Sequence, residues 1–586
     1  MVDVTDLDLL RSHEPIIRFT EGELFFPVAV EDYVAVCDLI ERVPGDTPDV
    51  VVGQRGTVTL TRLAEVGASR SGPGLFLRLV DQPFSRGQTT LWRLRGERPR
   101  FRGANRLARV GILSRIIDAL MRLSLLFRGT VATGTQAAAE SLYRDRMRQG
   151  HHPYYGRVVR QGGYIALQYW FFYAFNDWRS RVYGVNDHEA DWEQVVVYLA
   201  EQADGTTRPA WVVFSAHDEV GDDLRRRWDD PDLTLVGDHP VVFAGLGSHS
   251  GAYLAGEYLT SFEPPAFHRL LALLRTVTRT LLPWTRDSSH AGIGIPYVDY
   301  ARGDGVSVGP GQKREWTPVI IDDTTPWVFQ YQGLWGNDTA DPLGGERGPA
   351  GPRYERSGSV RQSWGDVVGW SGLAKVAPNP HVAADLIRQR LDELQDEVQA
   401  LTAQLVADRT KLRADAASGV AVTRAQESQI DALAAQRVAL DDERRRLEGR
   451  LDTPPPEVGP HDHLHHRHLP AATGSKARRR VLAFWSALST PLILIIIANS
   501  FRPGATASLR ALIVMAVLVL LTIEATARRQ LFRFLATLAV IAAAAVAAFF
   551  VAGLIVFKGW HVTVAIACAL LAIVLLITNL RELSRD

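Results

Sequence analysis

Apolar residues change their rhythm several times along this chain, and each change marks an element. The run YIALQYWFFYAFN from Tyr164 reads as an aromatic strand, and Val195, Val196, Val197, Tyr198 and Leu199 mark a second strand just beyond it. Further on, Ile387, Leu391, Leu394, Val398, Leu401, Leu405 and Leu412 recur at alternating spacings of four and three, missing one beat at Asp408, which is a heptad seam. Ile430, Leu433, Leu440, Leu447 and Leu451 form a second run, separated from the first by 415–420, which contains Gly419. The spacing predicts an antiparallel helical hairpin or a dimerising coiled coil, ending at Pro454, Pro455 and Pro456. Either form is a spacer, and the second would make the chain a homo-oligomer.

The last hundred residues are apolar without polar alternation. The stretches 481–499, 509–526, 531–557 and 560–580 each reach the ~18–20 residues needed to cross a bilayer. Four in succession with short connections argue against buried core helices. Lys476, Arg478, Arg479, Arg480, Arg528, Arg529, Arg533, Arg581 and Arg585 fall at one side of such a bundle, against Arg502, Arg510 and Lys558 at the other. The positive-inside rule then places both termini and the soluble part in the cytoplasm, with the plasma membrane as the expected location. Glu524, near the end of the second stretch, is expected to reach the interface as a tolerated acid.

The N-terminal part is less regular. Residues 24–30 and 50–60 read as strands. Over 111–127, Ile112, Leu113, Ile116, Ile117, Leu120, Leu123 and Phe127 lie on one stripe opposite Arg115, Asp118 and Arg122, an amphipathic helix that packs on its own domain or lies on a membrane surface. The expected division is an N-terminal α+β region at 1–150, a β-rich domain at 151–378, the helical hairpin at 380–452, a Pro/His-rich linker at 453–478 and membrane helices at 479–586.

Composition agrees with several domains and a membrane end. The chain has 586 residues, 46% hydrophobic and 22% charged, more than one core needs and too apolar for a disordered chain. Lys plus Arg and Asp plus Glu balance at 65 each, which argues against nucleic acid. The two cysteines, Cys37 and Cys568, make no disulfide framework. The opening MVDVTDLDLLRSHEPIIRF lacks the long apolar run of a secretory signal.

The densest chemistry lies between the two aromatic strands. Asp187, His188, Glu189, Asp191 and Glu193 place four acids and an imidazole within seven residues. Such charges repel unless a cation or basic groups neutralise them. In an extended segment Asp191 and Glu193 share one face and Trp192 takes the other, with His188 able to fold over the acidic face. Hard oxygen ligands favour magnesium, calcium or manganese, and one imidazole keeps zinc in view behind them. The alternative is a solvated acidic loop paired with Arg179 and Arg181.

The run YWFFYAFND followed by DHEADWEQVVVYL resembles the vacuolar protein sorting-associated protein 62 family, and HEADWE is similar to the core motif of the necrosis- and ethylene-inducing-like cytolysins. The resemblance covers about 150–375 plus the opening PIIRFTEGELFFPVAVEDYV. It implies a two-sheet β-sandwich with a metal at one end. Carried over by motif, the implied metal ligands are Asp177, His188, Asp191, Glu193 and His249 in GLGSHSGAY. NDHEADWE stands where the cytolysins have a glycine-histidine-arginine lead-in, and Asp218 and Glu219 stand where they tend to have glycines. These departures weigh against toxin activity and leave the metal site intact.

Other motifs add little. The tract HDHLHHRH, with His461, His463, His465, His466 and His468, either binds transition metals or senses pH, or is a flexible polar tether. GPGQKRE lacks the spacing of a phosphate loop, and GSHSG has histidine where a nucleophile elbow needs serine. Three readings of function remain open. The first is a membrane-anchored metal-binding module that holds a lipid head group or glycan. The second is a metal-dependent hydrolase with Glu189 or Glu219 as general base. The third is a non-catalytic trafficking or envelope scaffold.

Overall fold

The computed structural model describes residues 5–586 except 44–47, 71, 73, 96–100, 102–108, 113–114, 117–133, 148–149, 179–186, 203, 217–220, 263–267, 282–294, 339–346, 420–423, 453–457, 472–474, 502, 505, 563, 566–568, 570–571 and 573–586. The chain divides into two compact units. One comprises residues 1–102, 125–258 and 299–471, the other 103–124, 259–298 and 472–586.

The described strands are β1 (Ile16–Arg18), β2 (Asp38–Glu41), β3 (Val50–Gly53), β4 (Leu75–Arg78), β5 (His152–Gln161), β6 (Tyr164–Asn176), β7 (His188–Glu201), β8 (Thr207–Phe214), β9 (Arg225–Arg227), β10 (Leu235–Val236), β11 (His239–Ala244), β12 (Gly251–Ala252), β13 (Gly256–Phe262), β14 (Ile295–Ala301), β15 (Ser307–Val308) and β16 (Trp316–Ile320). A six-stranded sheet runs β16-β5-β6-β7-β8-β9. A second sheet runs β10-β11-β1-β15, with β12 on β11. A small sheet, β3-β2-β4, completes the N-terminal region, and β13 pairs with β14.

The central strand β6 is buried along all 13 residues, which explains why its sequence does not alternate: both of its faces are covered. On one face Tyr169, Phe171 and Tyr173 join Val195, Val197 and Leu199 of β7 against Ile17, Val242, Ala244 and Val308 of the second sheet. On the other face Trp170, Phe172 and Ala174 meet Trp192, Trp327 and Trp335, together with Tyr33, Leu39 and Leu63 from the N-terminal region. Each large side chain so buried contributes about 1.5–3 kcal/mol. The register of β6 on β7 sets the positions of the acids, with Phe171 opposite Glu193, Tyr173 opposite Asp191 and Asn176 opposite His188.

The N-terminal segment departs from expectation. Residues 24–30 form no strand, and helix Val30–Ala35 begins at their end. Pro27 lies in the middle of the run and has no N–H to give a ladder. Of 50–60, only Val50–Gly53 is a strand, and helix Leu60–Ser69 starts directly after Thr59, whose side chain accepts from the Arg62 N–H.

Two long helices come after the sheets. Helix Pro380–Ala417 starts with Asn379 accepting from the Val382 N–H and with proline in its first turn, both strong start signals. Its Leu394, Leu401 and Leu405 are buried on the heptad stripe. Helix Arg424–Asp452 buries Ile430, and Arg390 reaches across to Glu443 at 3.1 Å.

In the second unit, helices Lys476–Ser500, Ala507–Ala527 and Leu531–Lys558 include three segments long and apolar enough to cross a membrane, Ala477–Asn499, Ala507–Ala527 and Leu531–Gly553. Arg478 donates to the Ala527 carbonyl at 3.0 Å, so the start of the first lies beside the end of the second, as antiparallel neighbours. Most of the fourth apolar stretch, 560–580, and most of 111–127 lie outside the described residues.

Candidate functional site

The acidic turn is built at the ends of β6 and β7. Alternation along β7 sends Trp192 into the aromatic core and leaves Asp191 and Glu193 on the opposite face, where they continue the row of Val195 and Val197. Asp191 is buried and Glu193 half-buried. Two non-glycine residues with positive φ lie here, Ala190 at 59° and His249 at 58°. Strained backbone of this kind persists only where surrounding structure enforces it, and it concentrates at functional sites.

His249 is the centre of the arrangement. Its ring stacks flat on Tyr173, centroids 3.8 Å apart and 3° from parallel. Nδ1 donates to Asp191 Oδ2 at 2.9 Å, and Asn176 Nδ2 donates to the same oxygen at 2.9 Å. Nε2 faces Glu23 Oε1 at 3.7 Å, beyond hydrogen-bond reach. Burial by itself lowers the affinity of this ring for a proton, but the hydrogen bonds and charges of Asp191 and Glu23 override it and push the His249 pKa up to about 10. The imidazolium is thus a cation set among carboxylates.

Sequence reasoning missed Glu23, which lies in the TEGELFF segment far from the turn. Its carboxylate is almost fully buried and accepts from the Leu24, Phe25 and Gly247 backbone N–H groups at 2.7, 3.0 and 2.9 Å. Burial by itself would raise its pKa, but His249, and then these backbone bonds, hold it below the usual carboxylate range. Gly247 has φ of +76°, and a Cβ there would collide with the Asp177 backbone, so glycine is required for the loop to close over this centre.

The five predicted ligands are not equivalent. Asp191 and His249 meet directly. Asp177 is buried and receives the Gln136 side-chain amide, and its own N–H donates to the Gly247 carbonyl at 2.9 Å. Glu193 accepts from the Ser215 hydroxyl. Burial, then the neighbouring Asp191 charge, pushes the Glu193 carboxyl well above its ordinary range. His188 turns along its own strand, Nδ1 lying 2.7 Å from the Ala190 carbonyl. Glu189 faces the other way and accepts from the backbone N–H groups of Leu79, Val80 and Asn337 at 2.9, 2.7 and 3.1 Å. That is an anchor for the N-terminal region. Arg179, Arg181 and Glu219 lie outside the described residues.

A second group of ligand-type side chains involves the histidine tract. Among the described residues, Asp230, Asp232 and His461 bring their ligand atoms within 4.8 Å of one another and could hold a metal ion. His461 Nε2 lies 2.8 Å from Asp230 Oδ1 and 3.5 Å from Asp232 Oδ2. Here the protein already balances the charge: Arg467 Nε donates to Asp232 Oδ2 at 2.7 Å, and Arg226 Nε stands 4.0 Å from Asp230 Oδ2.

The histidine tract is docked against the sheets. His463 Nε2 lies 3.1 Å from the Arg225 carbonyl with its ring edge-on to Trp211, the His465 and His466 N–H groups donate to Asp223 at 2.6 and 2.9 Å, and the Ala471 N–H donates to the Glu257 carbonyl at 2.8 Å. The tether reading therefore gives way to a fixed strap over β9 and its neighbours.

Comparison of the chain with protein-family models, with curated proteins and with solved structures finds no significant match.

Proposed function

We propose that this chain is a membrane-anchored module whose sheet-rich unit, read as a two-sheet sandwich, binds one divalent cation beside Asp191 and Glu193 and uses it to hold a polar, oxygen-rich ligand such as a lipid head group or glycan. The observation that carries the reading is a convergence of hard oxygen donors. Asp191 and Glu193 share one face of β7, where burial, then the Asp191 charge, suppresses ionisation of Glu193, and Asn176 and His249 both donate to Asp191 Oδ2.

One orphaned atom points the same way. Asn176 Oδ1, an acceptor, is buried without a hydrogen-bond partner, and its side chain already binds Asp191. Asp191, Glu193 and Asn176 are the residues that would hold a hard cation, with His249 oriented by its bond to Asp191. A bound cation supplies a positive point to which ligand oxygens can attach. The resemblance to the vacuolar protein sorting-associated protein 62 family supports the sandwich and a metal at its end. A hydrolase reading loses support because Glu189 is committed to backbone amides.

The test is calorimetric titration of the full-length protein in lipid nanodiscs with manganese and with calcium, comparing wild type, Asp191→Asn and Asp230→Asn. One binding event lost in Asp191→Asn and retained in Asp230→Asn supports the assignment. Equal affinity in wild type and Asp191→Asn rejects it. With the site established, binding of a soluble phosphorylated head-group analogue or an oligosaccharide should disappear in chelator.

A further inference from the structure

One helix of the second unit shows its apolar face to the outside. Helix His268–Leu281 reads HRLLALLRTVTRTL. At the helical step, positions 270, 273, 274, 277 and 281 fall within one stripe about 100° wide, all leucine or valine, and positions 268, 272, 275 and 279 fall on the opposite side. A surface helix of a soluble domain turns such a stripe toward its core. Here Leu270, Leu273, Leu274 and Val277 are 53, 60, 43 and 44% exposed. The Thr276 and Thr280 hydroxyls donate to the Ala272 and Thr276 carbonyls one turn back at 3.0 and 2.8 Å, so both stay hydrogen-bonded where the helix leaves water.

The charge on this helix has one sign. It carries Arg269, Arg275 and Arg279 and no acid, and Arg269 is exposed. Elsewhere in the unit a buried arginine has an acid to meet: Arg115 donates to Glu524 at 2.7 Å, and Glu524 is buried there instead of reaching the interface. An apolar stripe backed by arginines without acids is the pattern of a helix that lies in the head-group region, where the stripe enters the acyl boundary and guanidinium groups meet lipid phosphates.

Its place in the fold decides what covers the stripe. The helix belongs to the same compact unit as Ala477–Asn499, Ala507–Ala527 and Leu531–Gly553, the segments apolar enough to cross a membrane. Those segments expose apolar side chains of the same kind, such as Leu488 and Leu512, and a bilayer accounts for both sets. With 14 residues the helix is about 21 Å long, short of the ~30 Å hydrocarbon core, so it does not span. Its arginines likewise suit a surface and not a bilayer centre.

We infer that helix His268–Leu281 is an interfacial helix that lies flat on an anionic phospholipid surface. Leu270, Leu273, Leu274 and Val277 enter the acyl boundary, and the basic face meets lipid phosphates. The protein then has, besides its apolar spans, a second attachment that responds to lipid charge. This inference rests on the anchor reading of the three apolar helices and is independent of the Asp191 centre.

The test places a photo-crosslinking amino acid singly at positions 272, 273 and 512 of the full-length protein in vesicles of phosphatidylcholine containing phosphatidylglycerol, and mass spectrometry counts the lipid adducts. Leu273 and Leu512 are exposed, so replacing them leaves the fold in place, and position 512 reports the anchor itself. Lipid adducts should form at 512 and 273 and be scarce at 272, and those at 273 should be richer in phosphatidylglycerol than the vesicle. Arg269→Gln should lower that enrichment about fivefold, the factor one arginine contributes near an anionic surface. Adducts at 512 with none at 273, equal adducts at 272 and 273, adducts of bulk composition, or an enrichment unchanged in Arg269→Gln overturn the inference. Crosslinks from 273 to a second copy of the chain would assign the stripe to a dimer interface and reject the lipid. Absence of adducts at both 512 and 273 would reject the anchor reading, and this inference with it.

Discussion

Replacing Glu23 by glutamine tests whether the buried ionic centre holds the sheet-rich unit together. The carboxylate accepts three backbone N–H groups and faces His249, all without solvent. A carboxamide oxygen can keep the bonds to Leu24 and Phe25, but its NH2 then confronts the Gly247 N–H, so one charge-assisted bond worth about 1.5–3 kcal/mol is lost. Removing one partner of a buried pair costs about 3–5 kcal/mol. The two figures overlap, so the expected loss is about 3–5 kcal/mol, read from guanidinium unfolding followed by tryptophan fluorescence. Linkage gives a second signature. His249 releases its proton near 6.5 when unfolded and near 10 when folded, so its contribution is complete below 6.5 and is lost as pH rises toward about 10. Glu23→Gln removes one of the two carboxylates responsible and should flatten that alkaline decline. A loss under about 1 kcal/mol at neutral pH, with the alkaline decline unchanged, would refute the reasoning.

Burial, the largest influence on His463, holds its pKa below the ordinary 6.5, so the docked strap is fully favoured above 6.5 and loosens as pH falls below it; limited proteolysis of 453–471 should accelerate between pH 7.5 and 5.5, and an unchanged rate would contradict the docking. Glu189→Gln should destabilise the unit by about 1.5–3 kcal/mol while leaving cation affinity intact, because it disturbs an anchor to backbone amides; loss of cation binding at full stability would reverse that assignment. Reporter fusions after Asp586 and within 505–508 should report opposite compartments, and the same compartment for both would reject a four-span topology.

The pattern of side chains carried much of this architecture, and specific physics hid the rest. Alternation placed Trp192 opposite Asp191 and Glu193, because a strand embedded between two apolar layers has no freedom to slip by one residue. The heptad stripe located Leu394, Leu401 and Leu405, and hydropathy located three apolar helices. Glu23 was invisible because its partners come from distant parts of the chain and its own surroundings, TEGELFF, read as an ordinary strand edge. A lone glutamate amid Leu24, Phe25 and Phe26 was the available signal, since burying it requires a cation or several donors. The positive φ angles at Ala190 and His249 are imposed by tertiary contacts, and no propensity announces them. The histidine tract read as a tether because its anchors, Asp223, Asp230 and Asp232, lie more than two hundred residues earlier. Arg115 and Glu524 are separated still further, and only the fold shows that the two unusual charges answer each other.

Locating a single manganese ion tests the central claim most directly. Anomalous scattering from crystals of the full-length protein grown with manganese should show a peak within coordination distance, about 2.0–2.6 Å, of an Asp191 carboxylate oxygen, and the same peak should vanish in Asp191→Asn. A peak confined to Asp230, Asp232 and His461, or none beside Asp191 at saturating manganese, would contradict the account.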